Sequence, residues 1–273
     1  VDAWSLLAEA NHEDGKVRTM EDERPHILPS AFVQHAMALH GRERQQFGVG
    51  RRVLLTYVSG VGHVVQDLGL IEAPVRLFRD PLYTDGDASP ARWSVMRGPI
   101  GAPAACAVVE ELVAFGTEEL WIVGYAGSLQ PELPYGKLLI PDSAYVDEGT
   151  SPHYGRTDRS FPSRDLLALL KEAAPDAAVG PVWTTDAIYR EMPSQIRRYQ
   201  GLGVQGVDME VSALFHLGQH LGIPVAALMV TSDELFHDTG SAAETTWRPG
   251  FGSSEVLAAC QRAHDLLTSL LTR

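Results

Sequence analysis

Gly206-Val207-Asp208-Met209-Glu210-Val211-Ser212-Ala213-Leu214-Phe215, the apolar run from Ile223 to Val230, and then Thr231-Ser232-Asp233-Glu234 decide the fold of this chain. The first stretch reads as a loop entering a helix tipped with acids. Asp208 is placed to cap that helix, because a carboxylate just ahead of the first turn accepts otherwise unpaired N–H groups. Gly222 marks its end. Val225 to Val230 has no polar interruption, as expected of a strand covered on both faces. The far end of that strand delivers a second acid, Asp233.

The same alternation extends outward. Val53-Leu54-Leu55-Thr56-Tyr57-Val58 predicts a strand, and Trp93 to Met96 another, leading into Gly98-Pro99-Ile100-Gly101-Ala102-Pro103. A helix follows from Ala104 to Phe115, with Ala107, Val108, Leu112 and Phe115 at helical spacing and Gly116 as its stop. Leu120 to Val123 predicts a short buried strand that ends in a turn, Gly124-Tyr125-Ala126-Gly127. A last amphipathic helix starts near Ser254 and carries Val256, Leu257, Cys260, Leu266, Leu267 and Leu270. Helices alternating with buried strands make an α/β protein with an internal sheet. The expected organisation is an N-terminal arm over residues 1–25 and one α/β domain over 26–273.

Composition narrows the function. A formal net charge of −13 over 273 residues argues against binding a phosphate backbone, so no nucleic-acid partner is expected. An anionic substrate would have to be drawn in by local arginines, against the overall field. The two cysteines, Cys106 and Cys260, sit in apolar helical patterns and read as buried free thiols, which suits a reducing, cytoplasmic setting. No apolar run approaches the roughly 20 residues that span a bilayer, and the polar N-terminus lacks the order of a signal peptide. His216 and His220 lie four apart on one predicted helix, read as a polar face; no metal and no organic cofactor is expected.

Ligands in open α/β sheets bind at the carboxyl ends of strands. Three segments here close a strand with small or polar residues: Gly98 to Pro103, Gly124 to Ser128, and Thr231 to Glu234. With Asp147-Glu148-Gly149-Thr150-Ser151-Pro152-His153-Tyr154, and in this order, they resemble motifs of the nucleoside phosphorylase and nucleosidase superfamily over roughly residues 75 to 240. The resemblance implies a central mixed, twisted sheet flanked by helices in three layers. It also implies cleavage of an N-glycosidic bond, and assembly into a homo-oligomer with sites near subunit interfaces.

Roles follow by position. Asp233 corresponds to the acid that assists departure of a purine base, and uridine-specific relatives lack it, so the base is expected to be of purine type. Charge develops on the base as the bond breaks, and an acid near it is worth roughly two to four powers of ten. The same residue also suits capping of the next turn. Glu210 corresponds to the glutamate that holds the sugar hydroxyls, and a carboxylate accepts two such hydrogen bonds at once. Met209 would pack on the sugar. The base pocket is expected from Tyr125, Ala126, Gly127, Ser232, Ile188 and Tyr189. Ile188 stands where relatives place a stacking aromatic, leaving Trp183 or Tyr189 to substitute.

The acceptor divides the family. Phosphorylases hold phosphate with a Gly-Asp-Pro-x-Arg loop, absent here, where the nearest stretch is Pro25 to Pro29. They also use an arginine two residues before the glycine turn, where this chain has Ile122, and a threonine or serine where it has Tyr125. The remaining phosphate candidates are Arg79, expected to act across a subunit interface, Arg97 and Gly101. The leading expectation is nominal phosphorolysis, with phosphate as co-substrate. Hydrolysis by a nucleosidase is the alternative, for which Glu21 or Glu23 could be imagined activating water. A non-catalytic nucleoside-binding protein is the third reading.

Overall fold

The computed structural model describes residues 25–77, 80–86, 91–155, 157–236 and 247–272. The chain first forms α1 (Pro29–His40), β1 (Arg52–Thr56), α2 (Val61–Asp67), β2 (Ile71–Leu77), β3 (Asp80–Thr84), β4 (Trp93–Arg97) and α3 (Ala102–Phe115). It continues through β5 (Glu119–Ser128), β6 (Leu138–Asp147), β7 (Arg159–Ser160), α4 (Arg164–Ala173), β8 (Ala178–Thr185) and α5 (Pro193–Gly201). It closes with β9 (Gly206–Asp208), α6 (Val211–Leu221), β10 (Val225–Glu234), β11 (Arg248–Pro249) and α7 (Ser254–Leu271). The expected arm lies outside the described residues, apart from Pro25.

The strands form one mixed sheet. β4, β1, β5 and β10 lie side by side and parallel, so their carboxyl ends open on one edge. β10 also pairs with β6, β6 with β8, β8 with β9, and β9 returns antiparallel to β5. Those five strands close into a ring, while β1, β4, β3 and β2 continue it as an open sheet.

The apolar runs explain themselves once both faces are covered. Successive strand side chains point to opposite faces, and in β5 Leu120 and Ile122 enter one core while Trp121 and Val123 enter the other. β10 divides likewise, with Val225, Ala227 and Met229 on the first side and Ala226, Leu228 and Val230 on the second. Helices α1, α3 and α6 cover the first face; α2, α4 and α7 cover the second. A smaller cluster under α5 holds Trp183, Ile196 and Tyr199. This is the three-layer α/β architecture expected from the motifs.

Two local expectations are corrected. Gly124 to Ser128 is not a turn: β5 runs ten residues to Ser128 and pairs with both β9 and β10. Its glycines answer close packing instead, since a Cβ on Gly124 would stand 2.8 Å from Met229 Cε and one on Gly127 2.5 Å from Leu235 Cδ1. The loop ahead of Glu210 contains β9, a strand of three residues, too short for any periodicity to announce.

Candidate active site

Asp208 builds the site's first half. It stands two residues ahead of Glu210, the N-cap of α6, and its Oδ2 accepts the N–H of Glu210 at 2.8 Å and of Val211, the first helical residue, at 2.6 Å. Its Oδ1 accepts the Thr184 hydroxyl at 2.7 Å, and Thr184 Oγ1 in turn accepts the Ser212 N–H at 2.9 Å. Burial pushes Asp208 up to about 6 against those donors. Nearby, Glu148 is buried and accepts the N–H of Ser151 and the hydroxyls of Ser151 and Ser212, fixing the start of α6 against the loop after β6. The Asp147–Tyr154 motif therefore serves here through Glu148 as a clamp.

The capped helix presents Glu210 to the glycine loop. Gly101 has φ +95°, a backbone that only glycine adopts readily, and its N–H donates to Glu210 Oε1 at 2.6 Å. Glu210 is buried and pushed up to about 8, by desolvation first and the Asp208 charge second, while the N–H groups of Gly101 and Met209 pull the other way. Near neutral pH it is therefore largely a neutral acid, with one donor and acceptor oxygens. Tyr57, just beyond β1, packs its ring where a Cβ on Gly98 would sit, 2.3 Å from Cζ. Met209, the residue before Glu210, is partly buried.

The second half lies at the end of β10. Asp233 Oδ1 accepts the Ser232 hydroxyl at 2.6 Å, and Oδ2 accepts the indole N–H of Trp247 at 2.7 Å. Asp233 is raised, by burial first and by Glu234, whereas Ser232 and Trp247 favour its charged form. β11 pins this corner, pairing Pro249 with Asp233 and Arg248 with Glu234. Glu191, after the 3-10 turn Ile188–Arg190, is pushed up to about 7 by burial and by the Asp233 charge. Gly127 joins the halves: a Cβ there would stand 3.2 Å from both Asp233 Oδ2 and Val207 Cγ1, so its absence lets β9 pass beside the acid. Ala126 is buried in the adjoining core, and Ser232 Oγ lies 3.4 Å from its carbonyl.

Other expected contacts lie elsewhere. Trp183 is fully buried, stacked on Tyr199 at 4.4 Å and donating to Asp147, so it cannot cover a base. Ile188 is half exposed and Tyr189 94% exposed, so neither the aliphatic chain nor the ring is packed in the core. The Tyr125 hydroxyl accepts the Ser59 N–H at 3.2 Å and lies 3.5 Å from Cys260 Sγ, which turns that side chain toward α7. Ile122 is buried in the core, and Arg97 is exposed at the last position of β4. Arg79, Glu21 and Glu23 lie outside the described residues. Pro25 to Pro29 lead into α1; the loop that follows β1 is Tyr57 to Gly60.

Sequence reading missed Tyr57, Glu191 and Trp247. Tyr57 carried a usable signal, a strand followed by Ser59-Gly60, the pattern that marked the other loops. Glu191 and Trp247 carried none. A pocket of about 610 Å³ at Glu132, Lys137, Asp176 and Arg262 is separate from both acids, and Arg262 is paired there with Asp176. Among the described residues no three His, Cys, Asp or Glu side chains converge as a metal site would require, and no helix is long and apolar enough to cross a membrane. Both cysteines are buried free thiols.

Known proteins bear on this arrangement. The model of the Phosphorylase superfamily matches residues 83–273. The chain is 30% identical over 141 residues to a guanosine phosphorylase of Halorubrum lacusprofundi, a match covering 50% of this chain and 58% of that protein. It is 29% identical over 152 residues to an uncharacterised mimivirus protein, covering 55% and 60%. A DeoD-type purine nucleoside phosphorylase of Caldanaerobacter subterraneus is 29% identical over 162 residues, covering 56% and 69%. The chain thus spans about three-fifths of the length of the first two. In fold it is similar to an AMP nucleosidase from Bacteroides thetaiotaomicron, with TM-score 0.66, 22% identity, and coverage of 89% of this chain and 98% of that one. A uridine phosphorylase from Vibrio fischeri gives TM-score 0.65 at 23% identity, covering 83% and 94%. The chain belongs to the Phosphorylase superfamily, the family of nucleoside phosphorylases and nucleosidases that its strand-end motifs resemble.

Proposed function

We propose that this protein cleaves the N-glycosidic bond of a purine-type nucleoside, with Asp233 at the base and Glu210 at the sugar. The observation that carries the reading is the pairing of two buried acids with separate surroundings at one edge of the sheet. Glu210 is held by a backbone N–H beside a second acid, and Asp233 by a hydroxyl and an indole. Breaking the bond places positive charge on the sugar and negative charge on the base. A raised Asp233 shares its proton with the departing base, and the Ser232 hydroxyl and Trp247 indole receive the carboxylate that remains. Glu210, neutral or charged, bonds a vicinal diol: the neutral acid donates once and accepts once, and the anion accepts twice.

Water is the acceptor that the geometry favours over phosphate. A phosphate dianion calls for guanidinium groups and free N–H donors. Ile122 stands in the core, and the Ser59 N–H in the loop after β1 is taken by Tyr125. Phosphorolysis is the second reading, favoured by the exposed Arg97 that ends β4 just before the glycine loop and by the similarity to a guanosine phosphorylase.

The deciding experiment offers inosine, guanosine, adenosine, methylthioadenosine and uridine with and without phosphate, following the sugar product. Free sugar at a rate indifferent to phosphate is the expected result. Sugar 1-phosphate formed only with phosphate would replace hydrolysis by phosphorolysis, and an inert panel would overturn cleavage altogether.

A further inference from the structure

The Tyr57 hydroxyl is fully buried and has no hydrogen-bond partner among the described residues. Leaving such a group unpaired costs about 1–3 kcal/mol, and native structures rarely do so without a reason. Packing does not require the oxygen, since the ring alone fills the space that Gly98 leaves open. The surroundings are specific. Burial raises Tyr57 well above the ordinary phenol range, and the charges that raise it further are those of Glu210, Cys106 and Asp208, in that order. The ring packs against Gly98, three residues before Gly101 in the same glycine loop. Glu210 is bonded there by the Gly101 N–H.

We infer that Tyr57 is a second sugar-binding residue, whose hydroxyl finds its partner in a sugar hydroxyl that also bonds Glu210. A hydroxyl group fits this place because it accepts the phenol proton while donating to the carboxyl oxygen. A planar base, with its hydrogen-bonding groups along its edge, fits it less well. The inference rests on the reading that the Glu210 side of the site holds the sugar.

The test uses Asp233→Asn as the parent, so that bound nucleoside persists, and compares it with Asp233→Asn/Tyr57→Phe by calorimetry. The ligands are a nucleoside that the wild-type protein cleaves and the corresponding free base. Tyr57→Phe is expected to weaken nucleoside binding about tenfold, the size of one well-placed hydrogen bond. Base affinity should stay within about twofold, and the melting temperature of the free protein should not fall, because no bond is lost there. Tyr57→Leu should give the same nucleoside-selective loss. Unchanged nucleoside affinity, equal weakening of nucleoside and base, or a lowered melting temperature for Tyr57→Phe would each overturn the inference. If the parent itself binds no nucleoside, the functional reading has failed first, and that is visible before Tyr57 is touched.

Discussion

Gly101 and Glu210, 109 residues apart in sequence, are joined by a 2.6 Å hydrogen bond from the Gly101 N–H to Glu210 Oε1. The bond ties the glycine loop after β4 to the tip of α6, and it holds the acid in place without neutralising it by an opposite charge. Orientation is thereby set before any ligand arrives, which is where a binding site gains most over a flexible one.

The first consequence is a pH-dependent stability. Glu210 is pushed up to about 8 in the folded protein, against an ordinary 4.5. Between those values the folded state keeps a proton that the unfolded chain has released. Stability is therefore fully present below about 4.5 and is lost as pH rises toward 8, by up to about 1.4 kcal/mol per pH unit for one such group. Asp208, at about 6, and Glu191, at about 7, act in the same direction. Thermal unfolding from pH 5 to 8.5 should show this decline, and Glu210→Gln should flatten it; parallel curves for the two proteins would refute the assignment.

Asp208 should matter more to folding than its position in a loop suggests. Asp208→Ala removes the acceptor for two N–H groups and the Thr184 hydroxyl. The expected loss is about 2 kcal/mol or more, or roughly 5 °C in melting temperature for a chain of this size. Asp208→Asn keeps one oxygen for the two N–H groups and should fall between. Denaturant unfolding that ranks Asn with Ala would show that the helix cap contributes little.

Asp233→Asn should lower turnover by two to four powers of ten. Binding of the nucleoside should change only a few-fold, because an amide keeps one acceptor for Ser232 or Trp247. Steady-state rates together with equilibrium binding decide this, and a loss confined to binding would assign Asp233 to recognition alone.

Trp247→Phe removes the indole donor from Asp233 Oδ2. A donor to a carboxylate favours its charged form, so the variant should raise Asp233 further and move the corresponding limb of the pH–rate profile to higher pH. A profile unmoved from that of the wild type would mean that the indole does not tune the acid.

Gly98→Ala should be destabilising, because its Cβ would stand 2.3 Å from Tyr57 Cζ and a rigid ring must shift. The expected cost is about 1–3 kcal/mol. Tyr57→Ala in the same chain should relieve part of it, since the colliding ring is gone. Strictly additive melting temperatures in the double variant would show that the two residues do not meet.

Much of this was legible in the residue order because local rules speak directly in buried strands and capped helices. The uninterrupted Val225–Val230 run announced a strand covered on both faces, and the order of Asp208 and Val211 announced a capped helix. The strand-end motifs then singled out Glu210 and Asp233. Tertiary structure alone decided the rest. β9 is three residues long, below the reach of any periodicity, and it turns Gly124 to Ser128 from an apparent turn into paired strand. Trp183, an expected cover for the base, is drawn into the core because Tyr199 offers it a stacking face. Trp247 and Glu191 reach Asp233 from segments with no pattern of their own. That the Tyr57 hydroxyl finds no partner among the described residues is likewise a property of how its ring packs on the glycine loop. Sequence specifies what each segment prefers; which side chains share a buried volume is fixed only when the segments pack, since desolvation and hydrogen-bond partners belong to that volume.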